Sequence, residues 1–321
     1  MATEGGKQAR GAGKEPERLH HAALIAGLPA PAQANLELAA IAYEREVRDA
    51  VAAGALGFYA RLFVQAGMPH TDPQTSQHVR SNGALTLTMM APPVVGLPYG
   101  SLPRLLLSWV TTEAVRTKHR RLMLGNTLRS FMGQLGLNPT GGRRGDITRL
   151  RNQMRRLFAS SISCVYEGPA GWAMANVNVA DRAELWWDPK QPDQLDLWDS
   201  TVTLGERFFE EIVRRPVPID TRALRALTRS PLAIDLYVWL TYRMSYLKEP
   251  TTVPWELLSL QTGAHYREVR QFRRRALEAL PKVAAVYPDA RVRAATDEQG
   301  RPLGLELEPS PTHVPHRPSA R

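Results

Sequence analysis

The sequence predicts an α+β chain of two tandem units, each a helix, a tight turn, a strongly basic helix and a β-hairpin. Three observations carry that prediction. The run GQLGLNPTGGRRGDITRLRNQMRRLFASSISCVY, starting at Gly133, packs an apolar helix end, a Gly-Gly turn, a basic helix and a β-like stretch into one short span. The same succession returns after Pro218, ending in a second basic helix around Arg267–Arg275. The chain also carries a formal charge of +10 on an otherwise ordinary composition, 43% hydrophobic and 22% charged. Such a charge calls for a polyanionic partner, nucleic acid or an acidic membrane surface. A basic helix held against its predecessor by a short turn is how a helix-turn-helix meets the DNA major groove, and a following hairpin makes the unit a winged helix.

With 321 residues there is room for two ordinary domains. The expected division is a disordered tail over 1–31, an N-terminal helix over 32–56, a first winged-helix unit over 57–213, a second over 214–308, and a disordered tail over 309–321. No apolar run reaches the roughly 18 residues of a membrane span. The single cysteine, Cys164, allows neither an internal disulfide nor a cysteine zinc site, which fits a reducing cytoplasm. The apolar run 22–28 mimics a signal peptide, but Glu15 and Glu17 occupy its would-be positive region and Gly27 and Pro29 interrupt it.

Residues 33–53 have helical periodicity, with Leu38, Ile41 and Ala42 on one face. Alternation predicts strands over 58–64 and 84–90, separated by the turn residues Pro69, Asp72 and Pro73. A helix follows, capped by Ser101 and tolerating Pro103 in its first turn, with Leu106, Trp109, Val110 and Ala114 as its apolar face. Asn126 or Thr127 caps the next, which carries Leu128, Phe131, Met132 and Leu135 and stops at Gly136. Asp146 then caps the first basic helix. Ile147, Leu150, Met154, Leu157 and Phe158 fall on one side of it, and Arg149, Asn152, Gln153 and Arg156 on the other. Residues 160–166 and 172–177 read as a two-stranded wing, with further strands at 185–187 and 195–202 and a helix at 204–212. Pro216 and Pro218 forbid a helix across the boundary.

In the second unit, elements at 219–227, 231–246 and 254–260 precede a Thr262-Gly263 turn and the basic helix 265–280. Wing strands are expected at 282–287, 291–295 and 303–307, the last two joined by a turn at Asp297–Gly300. The pair Leu107-Ser108-Trp109-Val110-Thr111 and Tyr237-Val238-Trp239-Leu240-Thr241 occupies equivalent places in the two halves, which favours a pseudo-repeat.

The second basic helix places Val269, Phe272, Ala276, Leu277 and Leu280 on its apolar face and Arg267, Arg270 and Arg274 opposite them. A guanidinium can grip two guanine acceptors or neutralise a phosphate, so an exposed arginine row suits duplex DNA. Arg149, Asn152, Gln153, Arg267, Arg270 and Arg274 are the candidate base readers. Arg143, Arg144, Arg155, Arg273 and Arg275 are better placed for phosphates, and Arg156 completes the DNA-binding set. Enzyme readings find little: Gly13-Lys14 lacks the other P-loop residues, and His20-His21 and His313/His316 lie in expected tails without a carboxylate set. No catalytic residue, metal or cofactor is therefore expected.

Three stretches now suggest a family: GFYARLFVQAGMPHTDP from Gly57, GLPYGSLPRLLLSWVTTEAVRTK from Gly96, and the opening run with its TGG, ITRLRNQMRRLFASSIS and YEG. They resemble plasmid replication initiators of the RepA type, from Gly57 to the second basic helix. The resemblance implies tandem winged-helix domains that bind repeated double-stranded sites, called iterons, at a plasmid origin. It further implies opening of adjacent AT-rich DNA and recruitment of the host initiator and replicative helicase. Dimers that repress the protein's own gene and limit copy number are implied too. The alternative from the residues alone is a winged-helix transcriptional regulator, and a nicking nuclease lacks the metal and nucleophile set it would need.

Overall fold

The computed structural model describes residues 55–82, 85–125, 127–142, 145–168, 171–187, 200–263 and 266–314. The tail 1–31, the N-terminal helix apart from 55–56, the cap alternative Asn126, the residues Arg143 and Arg144, the strand expected at 195–199 and the end of the C-terminal tail lie outside them. The described chain is a mixed α/β structure. Two helices that are buried nearly all round form its axis: α2 (Ser101–Thr117) and α7 (Pro231–Met244). Ser230 caps α7 by accepting a hydrogen bond from the Ala233 amide at 3.2 Å, with Pro231 in the first turn where its missing N–H costs nothing. Leu106, Val110 and Ala114 are fully buried on α2, as their spacing predicts, whereas Trp109 is half-buried.

Before α2 the expected strand over 58–64 divides into β1 (Leu56–Ala60) and the short helix α1 (Arg61–Ala66). Only the first half of that alternation finds a strand partner: β1 pairs antiparallel with β9 (Pro216–Asp220), Tyr59 opposite Val217. The proline pair at 216–218 thus ends the helix α5 (Glu206–Arg214) as expected, but its segment is a strand packed into the core. Strand β3 (Leu85–Met90) matches the strand expected over 84–90, and β2 (Gln77–Asn82) is an additional strand beside it.

The strands β5 (Ser161–Gly168) and β6 (Gly171–Asn178) correct the expected wing. They do not stand free but extend β2 and β3 into a four-stranded sheet of order β2-β3-β5-β6, with Leu87 opposite Cys164. Leu87, Met89 and Ile162 give that sheet a buried face, which a free hairpin would not have. A separate three-stranded sheet joins β4 (Arg121–Met123), β8 (Thr201–Leu204) and β7 (Ala180–Glu184), in the order β4-β8-β7. Residues 185–187 form no strand.

The first half also holds α3 (Leu128–Gln134), capped by Thr127, and α4 (Asp146–Phe158). After the short α6 (Thr221–Ala226) and α7 come β10 (Thr251–Pro254), α8 (Trp255–Gln261), α9 (Val269–Val286), β11 (Val292–Thr296) and β12 (Pro302–Leu307). Their sheet has the order β10-β12-β11, so the strand before the helix pair, the last strand and the middle strand are arranged as in β4-β8-β7.

Two further expectations fail for the same reason. Of residues 282–287, 282–286 continue α9 through Pro281 and Tyr287 caps its end, because Val283, Ala284, Ala285 and Val286 are all buried there and packing outweighs the proline. Residues 309–314, expected to be disordered, are docked. Tyr287 Oη donates to the Pro311 carbonyl at 2.6 Å, Ser310 Oγ accepts from the Arg291 amide at 2.9 Å, and Val314 is buried. His313 stacks on Tyr287 and shares a 2.8 Å hydrogen bond with Tyr237 Oη. One continuous hydrophobic core runs from Tyr59 to Leu307 and takes in both α2 and α7.

Candidate nucleic-acid interface

The start of α4 is set by the Thr140-Gly141-Gly142 turn. Thr140 Oγ1 accepts from the Asp146 amide at 2.9 Å, and Thr148 Oγ1 donates to the Gly142 carbonyl at 2.9 Å. A side chain at Gly145 would collide with the backbone of Thr140 and Gly141, so glycine is required for so close a turn. Asp146 is the first residue of the helix rather than its cap, which is Gly145. Ile147, Leu150, Met154, Leu157 and Phe158 are buried, leaving Thr148, Arg149, Asn152 and Arg155 exposed along the outer face.

Two of the sequence candidates on α4 face inward. Gln153 is 5% exposed, and its Oε1 accepts from the Tyr99 amide at 2.9 Å. It lies three residues from Leu150 and four from Leu157, a spacing that places it on the apolar side. Arg156 is engaged on three sides: it donates to the Leu97 carbonyl at 2.9 Å, pairs with Asp72 at 3.1 Å, and lies over the Tyr99 ring at 5.1 Å. Both residues tie α4 to the loop leading into α2. Arg149 stays 60% exposed while pairing with Asp146 at 3.0 Å.

On α9 the arginine row is open. The helix begins at Val269 rather than 265, so Arg267 lies before it, in the turn, and is exposed, while Arg273 is half-buried. Arg270 pairs with Glu268 at 2.6 Å, and Glu278 receives Arg275 at 2.8 Å and Arg274 at 3.9 Å. Exposed pairs of this kind are worth about 0–1 kcal/mol each, so they hold these guanidiniums only weakly. Phe272, Ala276 and Leu280 anchor the helix in the core, but Leu277, assigned to the apolar face, is 38% exposed. The β11–β12 hairpin adds two arginines absent from the sequence candidates: Arg293, paired with Glu306 across the strands at 2.7 Å, and Arg301, paired with Asp297 at 2.6 Å. For Arg293 the signal is its alternation with the buried Val292; Arg301 lies in the turn, where alternation says nothing. That turn needs Gly300, at φ +76°, with Asp297 Oδ1 accepting from the amides of Gln299 and Arg301.

The interface is held by a buried cluster between the two axial helices. Arg104 on α2 is fully buried and binds the Asp235 carboxylate of α7 with Nε and a terminal nitrogen, at 2.6 and 2.7 Å. Its remaining donors meet the carbonyls of Met68 at 2.6 Å and Gly100 at 2.7 Å. His70 shares a 2.8 Å hydrogen bond with Asp235, and the Gly263 amide reaches the same carboxylate at 3.3 Å. Although burial opposes ionisation, Arg104 and His70 hold the Asp235 carboxyl well below the usual carboxylate range. Burial lowers the His70 pKa. Among the described residues no helix is long and apolar enough to cross a membrane.

This is a mixed α/β chain that carries two basic helices on one core. Residues 97–256 match the family model described as plasmid encoded RepA protein. That segment, close to half of the chain, is similar to the plasmid-encoded RepA family, the family that the sequence resemblance indicates. No curated protein matches the chain. Among solved structures, the selenomethionine crystal structure of domains 2 and 3 of RctB is similar with a TM-score of 0.51 at 13% identity, covering 79% of this chain and 97% of that one. A second structure of RctB domains 2–3 gives a TM-score of 0.46 at 13% identity, covering 77% and 95%. At such identity the first likeness speaks to the fold alone.

Proposed function

We propose that the chain is a non-enzymatic plasmid replication initiator that binds iteron repeats in double-stranded DNA through two winged-helix units. The observation that carries this reading is the exposed polar face of α4, Arg149, Asn152 and Arg155, inside the segment that matches the RepA family. The equivalent strand orders β4-β8-β7 and β10-β12-β11, each built around a helix pair, support a repeated winged-helix plan. In this reading α4 is the first recognition helix, with Arg149 and Asn152 reading bases and Arg155 holding phosphate. Helix α9 is the second, with Arg270 and Arg274, and Arg267 from the turn just before it, as readers and Arg273 and Arg275 on phosphates. Arg143 and Arg144 flank the turn before α4 and serve the backbone. Gln153 and Arg156 support the helix instead. Binding energy opens neighbouring AT-rich DNA, and the host initiator and helicase are recruited there.

The test is footprinting on the DNA flanking the chain's own gene, with permanganate to detect unpaired thymines. Protection of tandem direct repeats with reactive thymines beside them is the expected result. A protected palindrome without strand opening would make the protein a regulator, and magnesium-dependent nicking of supercoiled DNA would make it an enzyme.

A further inference from the structure

We infer that Arg229, in the turn between α6 and α7, is a DNA-phosphate contact that extends the α4 surface across to the second half of the chain. The inference rests on the proposed reading of α4 as a DNA-binding helix and adds a second wall to that site. Beside α4 lies a cleft of about 530 Å³. It is lined by Arg149 and Asn152 from α4, by Thr228 and Arg229 from the α6–α7 turn, and by Ser101 at the start of α2.

Charge distinguishes Arg229 from its neighbours in the cleft. Asp72 is paired with Arg156, Asp146 with Arg149, and His70 with Asp235. Arg229 is exposed, and among the described residues it has no ionic partner. Its guanidinium is therefore the unneutralised cation of the cleft.

The position of Arg229 is also fixed. Ser230 caps α7 one residue later, Thr228 Oγ1 donates to the Arg225 carbonyl, and Arg225 reaches over to donate to the Gln134 carbonyl at the end of α3. The α6–α7 turn is thereby held against the same helix pair that carries α4. An exposed, unneutralised guanidinium on an open cleft beside a helix proposed to enter the major groove suits the phosphate line of the strand leaving that groove.

The experiment is fluorescence anisotropy with the full chain and a labelled 30-bp duplex of random sequence, repeated between about 50 and 200 mM salt. Each phosphate contact contributes about 0.9 to the slope of log K against log salt. Arg229→Ala is expected to lower that slope by about 0.9 and to weaken binding several-fold at low salt, on specific and random duplexes alike. Arg229→Lys should retain most of the slope. Arg116→Ala, exposed at the far end of α2, should change nothing. An unchanged slope for Arg229→Ala beside a reduced one for Arg155→Ala, the phosphate residue of α4, would overturn the inference and leave the DNA-binding reading standing. Failure of the unaltered chain to bind duplex DNA would sink both. Arg229 is exposed, so unfolding does not confuse the result, and circular dichroism checks it.

Discussion

Replacing Arg104 by Met tests the frame that positions both basic helices. The substitution keeps a long unbranched side chain in the space but removes the guanidinium from Asp235, which is left with only His70 at 2.8 Å and the Gly263 amide at 3.3 Å. It also strips donors from the Met68 and Gly100 carbonyls. Removing one member of a buried ion pair costs about 3–5 kcal/mol, because the other charge stays in a medium that solvates it poorly. The Asp235 carboxyl titrates below its unfolded value, so its stabilisation is complete above about pH 4 and fades only as the pH falls further. An assay at pH 7 therefore reads it in full. Urea unfolding followed by tryptophan fluorescence should show the 3–5 kcal/mol loss, with Tm lower by roughly 4–7 °C. Adding Asp235→Leu should recover at least half of it, because an apolar pair no longer buries a charge. A loss below about 1 kcal/mol for Arg104→Met would refute the reasoning, since surface pairs are worth that little.

Further outcomes follow from other contacts. Asn152→Ala should weaken specific DNA binding by about 1–3 kcal/mol with the fold intact, whereas Gln153→Ala should orphan the Tyr99 amide and cost about 1–3 kcal/mol of stability; the reverse pattern in paired binding and melting assays would overturn both assignments. Burial pushes the His313 imidazole down to about 4, so the folded chain refuses a proton that the unfolded chain takes. Stability should therefore be full above about pH 6.5 and fall by up to about 3 kcal/mol towards pH 4, and His313→Phe should remove most of that slope in melts run from pH 7 to 4. Gly263→Ala puts a methyl group into the Met68 backbone and should cost more than about 3 kcal/mol, while Gly141→Ala, with open space around it, should stay within about 1 kcal/mol in the same urea assay.

Legibility in the sequence followed how local the cause was. Helices α2, α4 and α7 were readable because their apolar residues recur at helical spacing, and the turn at Thr140–Gly142 because glycines mark it. The grouping of strands was not readable. Residues 161–178 alternate as any hairpin would, and only the partner strands β2 and β3, some seventy residues earlier, make them part of a larger sheet. The same holds for residues 309–314: a Pro-rich segment looks disordered until Tyr237 and Tyr287 provide a seat for His313. On the candidate interface, Arg149, Asn152 and Arg155 face outward, where the sequence placed them, whereas Arg156 is drawn aside by Asp72, an acid no helical wheel reveals.

The frame behind the interface links the two basic helices by short steps. From α4, Gln153 holds the Tyr99 amide; the next residue, Gly100, offers its carbonyl to Arg104; Arg104 grips Asp235; and Asp235 accepts from Gly263, in the turn that leads to α9. The β1–β9 pairing and the common core brace the same axis. Helices mounted in this way hold a fixed separation, because the buried ion pair loses several kcal/mol when it opens. In the proposed function, a duplex engaging both helices must then fit the protein rather than the reverse. A bend of 40–90° over 20–30 bp costs about 1–6 kcal/mol, a sum that a handful of groove and phosphate contacts can offset. Rigidity in the protein is thus what would let binding energy appear as strain in the DNA, the precondition for opening the weakest base pairs beside the site.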